Sequence, residues 1–516
     1  MPGERILSKT IDSLNDTTLD MARYTHECRY RLISCDAFAN DRLLRVYEFT
    51  DFPSVKYSAI SYVWRGNPAS RNPSSPNYWQ DRDGTFTVKG AEDGDPISLD
   101  VFFHVCSASL AHNIRFIWLD RLCVLQTSKK DKSWQIRAMY SIYDKCDTCF
   151  VLPGGIRRLV GLNEETAWIQ RAWTLQETVV PQRVMVVFAW KYGRTEVKNS
   201  PSKLEPRSII AGDSAQEDIM HILHASTTKI QLVDANTGRV IITGPQITVF
   251  GSSDSSPARF SLIGALNRGG ISAKEQNLWR CALMRTSSRP VDMVFSIMQL
   301  FGVTLDPSSF GKDDRLGATI ALAQGILRKG GKAHWLGAWY QLEPSRELPS
   351  FPRFPATSVE GKAYLVGSDG RRHEVAKFVK SKGLSPYAVS GVPKGTMSND
   401  GALVFSAKAI LIRPWSSSTS NGETILTASD GSKWIVNARG SKEKAKFRTF
   451  AVLLGKQLIS LSANFIQTSD RDPIRAMILA EHEHGKYHRK SYFKLPSTFQ
   501  DLFDSASLRQ FHLGPR

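Results

Sequence analysis

Between residues 57 and 190, four short and almost wholly apolar runs alternate with helical patterns, and no other feature constrains the fold as tightly. The runs are Tyr57-Ser-Ala-Ile-Ser-Tyr-Val-Trp64, Phe116-Ile-Trp-Leu119, Cys149-Phe-Val-Leu152 and Val184-Met-Val-Val-Phe188. They are rich in β-branched and aromatic residues, and the second and third end sharply at Asp120 and at Pro153-Gly154-Gly155. Strands that are apolar on both faces belong to a parallel sheet covered on both sides. Helical spacing fills the gaps, at Asp100 to His112, at Lys130 to Tyr143 with Trp134, Met139 and Ile142 on one stripe, and at Thr166 to Val179. This β-α-β-α order predicts an α/β domain over 57–195 built on an open, mostly parallel, doubly wound sheet.

The remainder of the 516 residues divides by composition. Residues 1–56 read as an N-terminal extension. The polar connector Pro201-Ser-Lys-Leu-Glu-Pro206 then opens a mostly helical region, 200–345, whose clearest helices are Val291 to Leu300 and Leu316 to Arg328. From 346 to 516 Ser, Gly and Pro increase, and runs such as Ala409-Ile-Leu-Ile412 and Trp434-Ile-Val436 predict a β-rich C-terminal region.

Several chemistries are set aside by pattern. A formal charge of +18 biases the surface toward anions, but the excess is thinly spread. Lys442, Lys444, Lys446 and Arg448 around Phe447 lack an aromatic platform or helix-turn-helix spacing, so specific nucleic-acid binding is not expected. The longest strongly apolar run, Val184 to Trp190, is far below the ~20 residues of a membrane span, and the first residues lack a signal-peptide core, so a cytoplasmic location is expected. Seven cysteines imply no disulfide framework, and Cys146-x-x-Cys149 without a second pair reads as buried thiols before it reads as a metal or redox site. His482-Glu-His484 with His488 has Lys486 where a second helical zinc ligand belongs, so no metal is expected. Neither G-x-x-x-x-G-K-[ST] nor G-x-G-x-x-G is present, which argues against a P-loop or a dinucleotide-binding Rossmann site of the usual kind.

Four motifs follow one another in order: Tyr57-Ser-Ala-Ile-Ser61-Tyr-Val-Trp64-Arg-Gly66; Ile117-Trp-Leu-Asp120-Arg-Leu-Cys123-Val-Leu-Gln126; Trp134-Gln135 with Met139 and Ile142-Tyr143; and Arg171-Ala-Trp173-Thr-Leu-Gln-Glu177. Together they resemble the fungal heterokaryon incompatibility (HET) domain family over about residues 57–190. Arg285 to Gly302 is similar to the helix that follows the domain in many members. The sequence departs from the family's usual pattern at Arg65, Arg121 and Leu125.

The resemblance implies a module of self/non-self recognition and programmed cell death with a TIR-like, flavodoxin-like fold. Trp173-Thr-Leu-Gln-Glu177 has the Trp-x-Leu-x-Glu spacing of the TIR helix that carries the glutamate of NAD-cleaving enzymes, so Glu177 is the expected catalytic residue. Ser61, Trp64, Arg65, Gly66, Asp120 and Trp173 are the expected substrate-binding residues, with NAD as substrate and no cofactor. On a continuous helix, Trp168, Ala172, Leu175 and Val179 form the apolar stripe and Glu177 lies off it, on the side of Trp173 and Gln170, so its carboxylate need not be buried in the core. The alternative is a solvated or ion-paired Glu177, with Arg171 nearby, beside a Trp173 that only packs. Ligands of open α/β sheets bind beyond the carboxyl ends of the strands, where Trp64, Arg65, Gly66 and Asp120 should gather. Nicotinamide leaves a pyridinium as a neutral base, so one carboxylate suffices to stabilise the ribosyl cation. Trp64 is expected to stack a base and Arg65 to meet a phosphate. A homo-oligomer and a separate incompatibility partner protein are implied. Two other classes stay open: a non-enzymatic adaptor working by homotypic association, and a basic nucleic-acid-binding protein whose affinity falls steeply with salt.

Overall fold

A computed structural model describes residues 3–70, 79, 82–198, 204–244, 246–252, 256–267, 271–359, 361–367, 369–379, 388–416, 424–436, 447–462, 465–467 and 472–516. The 201–203 part of the expected connector, and Lys442, Lys444 and Lys446, lie outside them. Two compact units form, one from Met1–Arg259 with Asp306–Ser309 and one from Phe260–Leu305 with Phe310–Arg516.

The four apolar runs are strands, Tyr57–Tyr62, Phe116–Trp118, Thr148–Leu152 and Val184–Ala189, and they lie side by side and parallel at the centre of a sheet. Every residue of Tyr57–Tyr62 and of Thr148–Leu152 is buried, as strands covered on both faces must be. The helices between them start on serine caps. Ser98 Oγ accepts from Val101 N ahead of Leu99–Ala111, and Ser128 Oγ from Asp131 N ahead of Lys129–Lys145. Small buried residues bring helix and sheet together, as where Ser58 Oγ and Ser109 Oγ lie 2.8 Å apart.

The sheet is mixed, which corrects the expectation of a mostly parallel one. It has nine strands among the described residues, and only the three pairings at its centre are parallel. Tyr30–Ser34, Leu43–Phe49 and Glu4–Thr10 extend it antiparallel beyond Phe116–Trp118. Ser214–Asp218 and Arg207–Ile210 extend it beyond Val184–Ala189, again antiparallel. Three strands of the N-terminal extension are therefore part of the sheet. Strands at Arg207–Ile210 and Ser214–Asp218 open the mostly helical region, and Gln231–Asp234 and Val240–Thr243 are the strand-like pieces on either side of Asn236-Thr237-Gly238.

Buried charge joins the N-terminal strands to the centre. The Arg31 guanidinium donates to Glu48 Oε2 at 3.1 Å, to Asp131 Oδ2 at 3.3 Å and to the Cys123 carbonyl at 2.8 Å. Asp131 in turn accepts from the Cys28 and Leu125 amides at 2.6 and 2.7 Å, so its carboxylate is saturated where no water reaches it.

In the second unit, helices Ile271–Leu283, Asp292–Met298 and Arg315–Arg328 surround aromatic packing in which Trp279 meets Phe301, Trp335 and Phe351. Strands Leu403–Pro414, Thr449–Ser462, Ile474–Glu483, Lys486–Leu495 and Leu508–Leu513 pair in succession, and the last returns to the first, which closes a five-stranded barrel. Ile410, Ala451, Ile478 and Phe493 belong to its core. His482 lies at the end of Ile474–Glu483 and His488 in Lys486–Leu495, the two arms of a hairpin, with Nδ1 atoms 3.4 Å apart. Among the described residues no three His, Cys, Asp or Glu side chains are grouped to hold a metal, and no helix is long and apolar enough to cross a membrane.

Candidate functional site at the carboxyl edge of the sheet

The carboxyl ends of the parallel strands bring most of the expected residues into one neighbourhood. Ser61 and Tyr62 end the first strand, and successive side chains on a strand point to opposite faces. They therefore serve two different groups.

On one side stands Glu177. Its segment is not the continuous helix expected: Trp168–Gln170 is a turn of 3-10 helix, Arg171 is extended at φ −82°, ψ 138°, and Thr174–Val179 is a short α-helix. The break resets the helical phase, so Glu177 is buried at 9% exposure. Ser61 Oγ donates to Glu177 Oε2 at 2.5 Å and accepts from Trp168 Nε1 at 3.0 Å. Burial, and after it the charge of Glu177, pushes the Tyr143 phenol well above its ordinary range. Cys149 is pushed up as well, by burial, by Cys146 and by Glu177, and burial pushes Cys146 up too, so neither thiol of Cys146-x-x-Cys149 has the thiolate character of a redox site. Trp173 is half-buried rather than purely core.

On the other side stands Asp120, the first residue of the Asp120–Cys123 turn of helix. Its Oδ1 accepts from Tyr62 OH at 2.6 Å and from the Arg121 amide at 2.7 Å. Arg121, 1% exposed, donates to the Trp64 carbonyl at 2.7 Å and to the Asp95 carbonyl, while its guanidinium lies 4.3 Å from the centre of the Trp64 ring. Trp64 Nε1 donates to Asp93 Oδ1 at 3.1 Å, exposed Arg65 donates through Nε to the Asp93 carbonyl at 2.8 Å, and Gly66 N donates to Asp95 Oδ2 at 2.6 Å. Gly66 is required by space, since a Cβ there would stand 1.9 Å from the Gly154 carbonyl oxygen. The loops after the first and third parallel strands thus touch through bare backbone.

Burial pushes the Asp120 carboxyl above its usual range, against the opposing pull of the Tyr62 hydroxyl and the Arg121 charge. Folding then favours its protonated form. This contribution is fully present below the ordinary carboxylate range and is lost as pH rises through the folded value. Asp120→Asn keeps an oxygen for both donors and has no such titration. It should match wild type near pH 4 and melt at the same or a higher temperature at neutral pH, read from melting curves across that range. A variant whose relative stability falls as pH rises would contradict the burial of this group.

Tyr62, Asp93, Asp95, Arg121, Tyr143 and Trp168 belong to the site, yet none was singled out for it from the sequence. Arg121 stands out only as a departure from pattern, and Trp168 reads as part of an apolar stripe.

Residues 57–158 match the family model described as Heterokaryon incompatibility protein (HET), which supports a place for this segment in that family. The match takes in Ser61, Trp64, Arg65, Gly66 and Asp120 and stops short of Trp173 and Glu177. No curated protein and no solved structure matches the chain.

Proposed function

We propose that the first unit acts in heterokaryon incompatibility by cleaving the N-glycosidic bond of NAD, with Glu177 as the catalytic carboxylate. The observation that carries this reading is the bond between Glu177 and Ser61. It ties a carboxylate to a residue 116 positions earlier, at the carboxyl edge where α/β sheets bind ligands. Nicotinamide departs as a neutral base, and the carboxylate stabilises the positive charge that grows on the ribose. Half-buried Trp173 and the ring face of Trp64 opposite Arg121 are the surfaces for a base. Exposed Arg65 is the group for a phosphate, while Asp120 and Gly66 shape the loop around them. The protein works in the cytoplasm as a homo-oligomer, is triggered by an incompatibility partner, and ends in programmed cell death.

A specific observation favours the adaptor reading as the second choice. Glu177 is largely buried, and Trp64, Arg65 and Gly66 all bond to the 93–95 loop, which is what a scaffold also requires. The separating experiment is nicotinamide release by the purified full chain over a wide range of protein concentration. Release whose specific rate rises with concentration supports an assembled enzyme. No release at any concentration, from protein shown to be folded, leaves the adaptor.

A further inference from the structure

Trp168 and Glu177 are nine residues apart. At about 100° per residue a continuous helix would place them roughly 180° apart, on opposite faces. The extended Arg171 between the two helical pieces removes that separation, and both side chains reach the same hydroxyl. Thr174 Oγ1 closes the break by donating to the Trp168 carbonyl at 2.9 Å, and the Phe250 ring packs against the Trp168 ring with centroids 5.3 Å apart.

The chemistry of the three groups fixes the direction of the hydrogen bonds. An indole N–H can only donate, so Ser61 Oγ must accept from Trp168. The hydroxyl has one proton of its own, and the remaining short contact, to Glu177 Oε2, receives it. Ser61 and Trp168 are each 0% exposed, so water does not compete for either bond. Donation from the indole polarises the hydroxyl and strengthens its bond to the carboxylate.

We propose that Trp168 and Ser61 are positioning residues, a directed relay that holds the Glu177 carboxylate in one orientation and in its charged form. This rests on the catalytic reading of Glu177 and assigns Ser61 to the carboxylate instead of to the substrate. A hydroxyl that donates to a carboxylate favours the ionised state, whereas burial opposes it, so the relay offsets the cost of placing Glu177 inside the sheet edge. Two titratable groups that feel the Glu177 charge, Tyr143 from Lys129–Lys145 and Cys149 from Thr148–Leu152, are both pushed upward and stay neutral through the physiological range.

The test uses the full chain with Ser61→Ala, Trp168→Phe and Ser61→Thr. Titration of the Glu177 carboxylate is read by infrared difference spectroscopy against Glu177→Gln, alongside the pH profile of nicotinamide release. A hydrogen bond to a charged group is worth about tenfold or more, so the S61A titration and the acidic limb of its rate profile should both move up by about one pH unit. W168F should move them in the same direction by less, and S61T should restore the wild-type titration. The infrared arm does not depend on turnover, so a protein that releases no nicotinamide would undo the enzymatic reading and still report on the relay. Titrations of S61A and W168F that coincide with wild type would overturn the relay.

Discussion

Glu177→Gln should slow nicotinamide release by about 10²–10³-fold, the loss typical of removing one electrostatic group from a transition state. The fold should survive the change. The amide oxygen of glutamine still accepts from Ser61 Oγ, and the side chain keeps its volume in a site that is 9% exposed. Loss of charge is then the one large difference between the two proteins. Wild-type release from a folded E177Q protein would remove Glu177 from the chemistry and overturn its assignment as the catalytic carboxylate.

The second large effect is on stability. Asp131→Ala should cost about 3–5 kcal/mol, because it leaves the buried Arg31 guanidinium without one of its two carboxylates and leaves the Cys28 and Leu125 amides without an acceptor. Arg31→Met should be comparably damaging, since it removes the cation shared by Glu48 and Asp131 where both are buried. Combining R31M with D131N should recover part of the loss, as replacing a whole buried charge pair costs less than breaking it. Denaturant titration of the three variants measures this. Single variants within about 1 kcal/mol of wild type would show that the network contributes little.

The central strands were legible because their signal is strong and local. Tyr57–Tyr62 and Val184–Ala189 are apolar on both faces, and no helix period fits them as well. The antiparallel flank was harder to read for a physical reason. In Tyr30–Ser34 and Leu43–Phe49 the inward alternation is interrupted by Arg31 and Glu48, which are buried only because they meet each other and Asp131 across 100 residues of chain. Charge in a strand normally marks the solvent face, so the pairing is invisible until the partners are brought together.

The site was legible in its members more than in its wiring. Ser61, Asp120 and Glu177 all lie in the ordered motifs of the sequence. The placement of Glu177 off the apolar stripe failed because it assumed an unbroken helix from Thr166 to Val179, and one extended residue, Arg171, shifts everything after it. A single φ,ψ change carries no composition signal. Tyr62 and Arg121 were missed because their roles run through neighbours, Tyr62 through Asp120 and Arg121 through the Trp64 and Asp95 carbonyls.

The strand order has a consequence for crowding and for assembly alike. Parallel strands are the ones with most to lose from a bare margin, and here each of the four is hemmed in by others, so none offers free amides to a stranger. The margins of the sheet fall instead on Glu4–Thr10 and Arg207–Ile210, which carry Glu4, Arg5, Lys9 and Arg207. Copies that extend this nine-stranded sheet strand to strand do so along one of these two charged borders, and a lysine placed at exposed Ser8 or Ser208 is the change that would poison such a seam while leaving the parallel centre untouched.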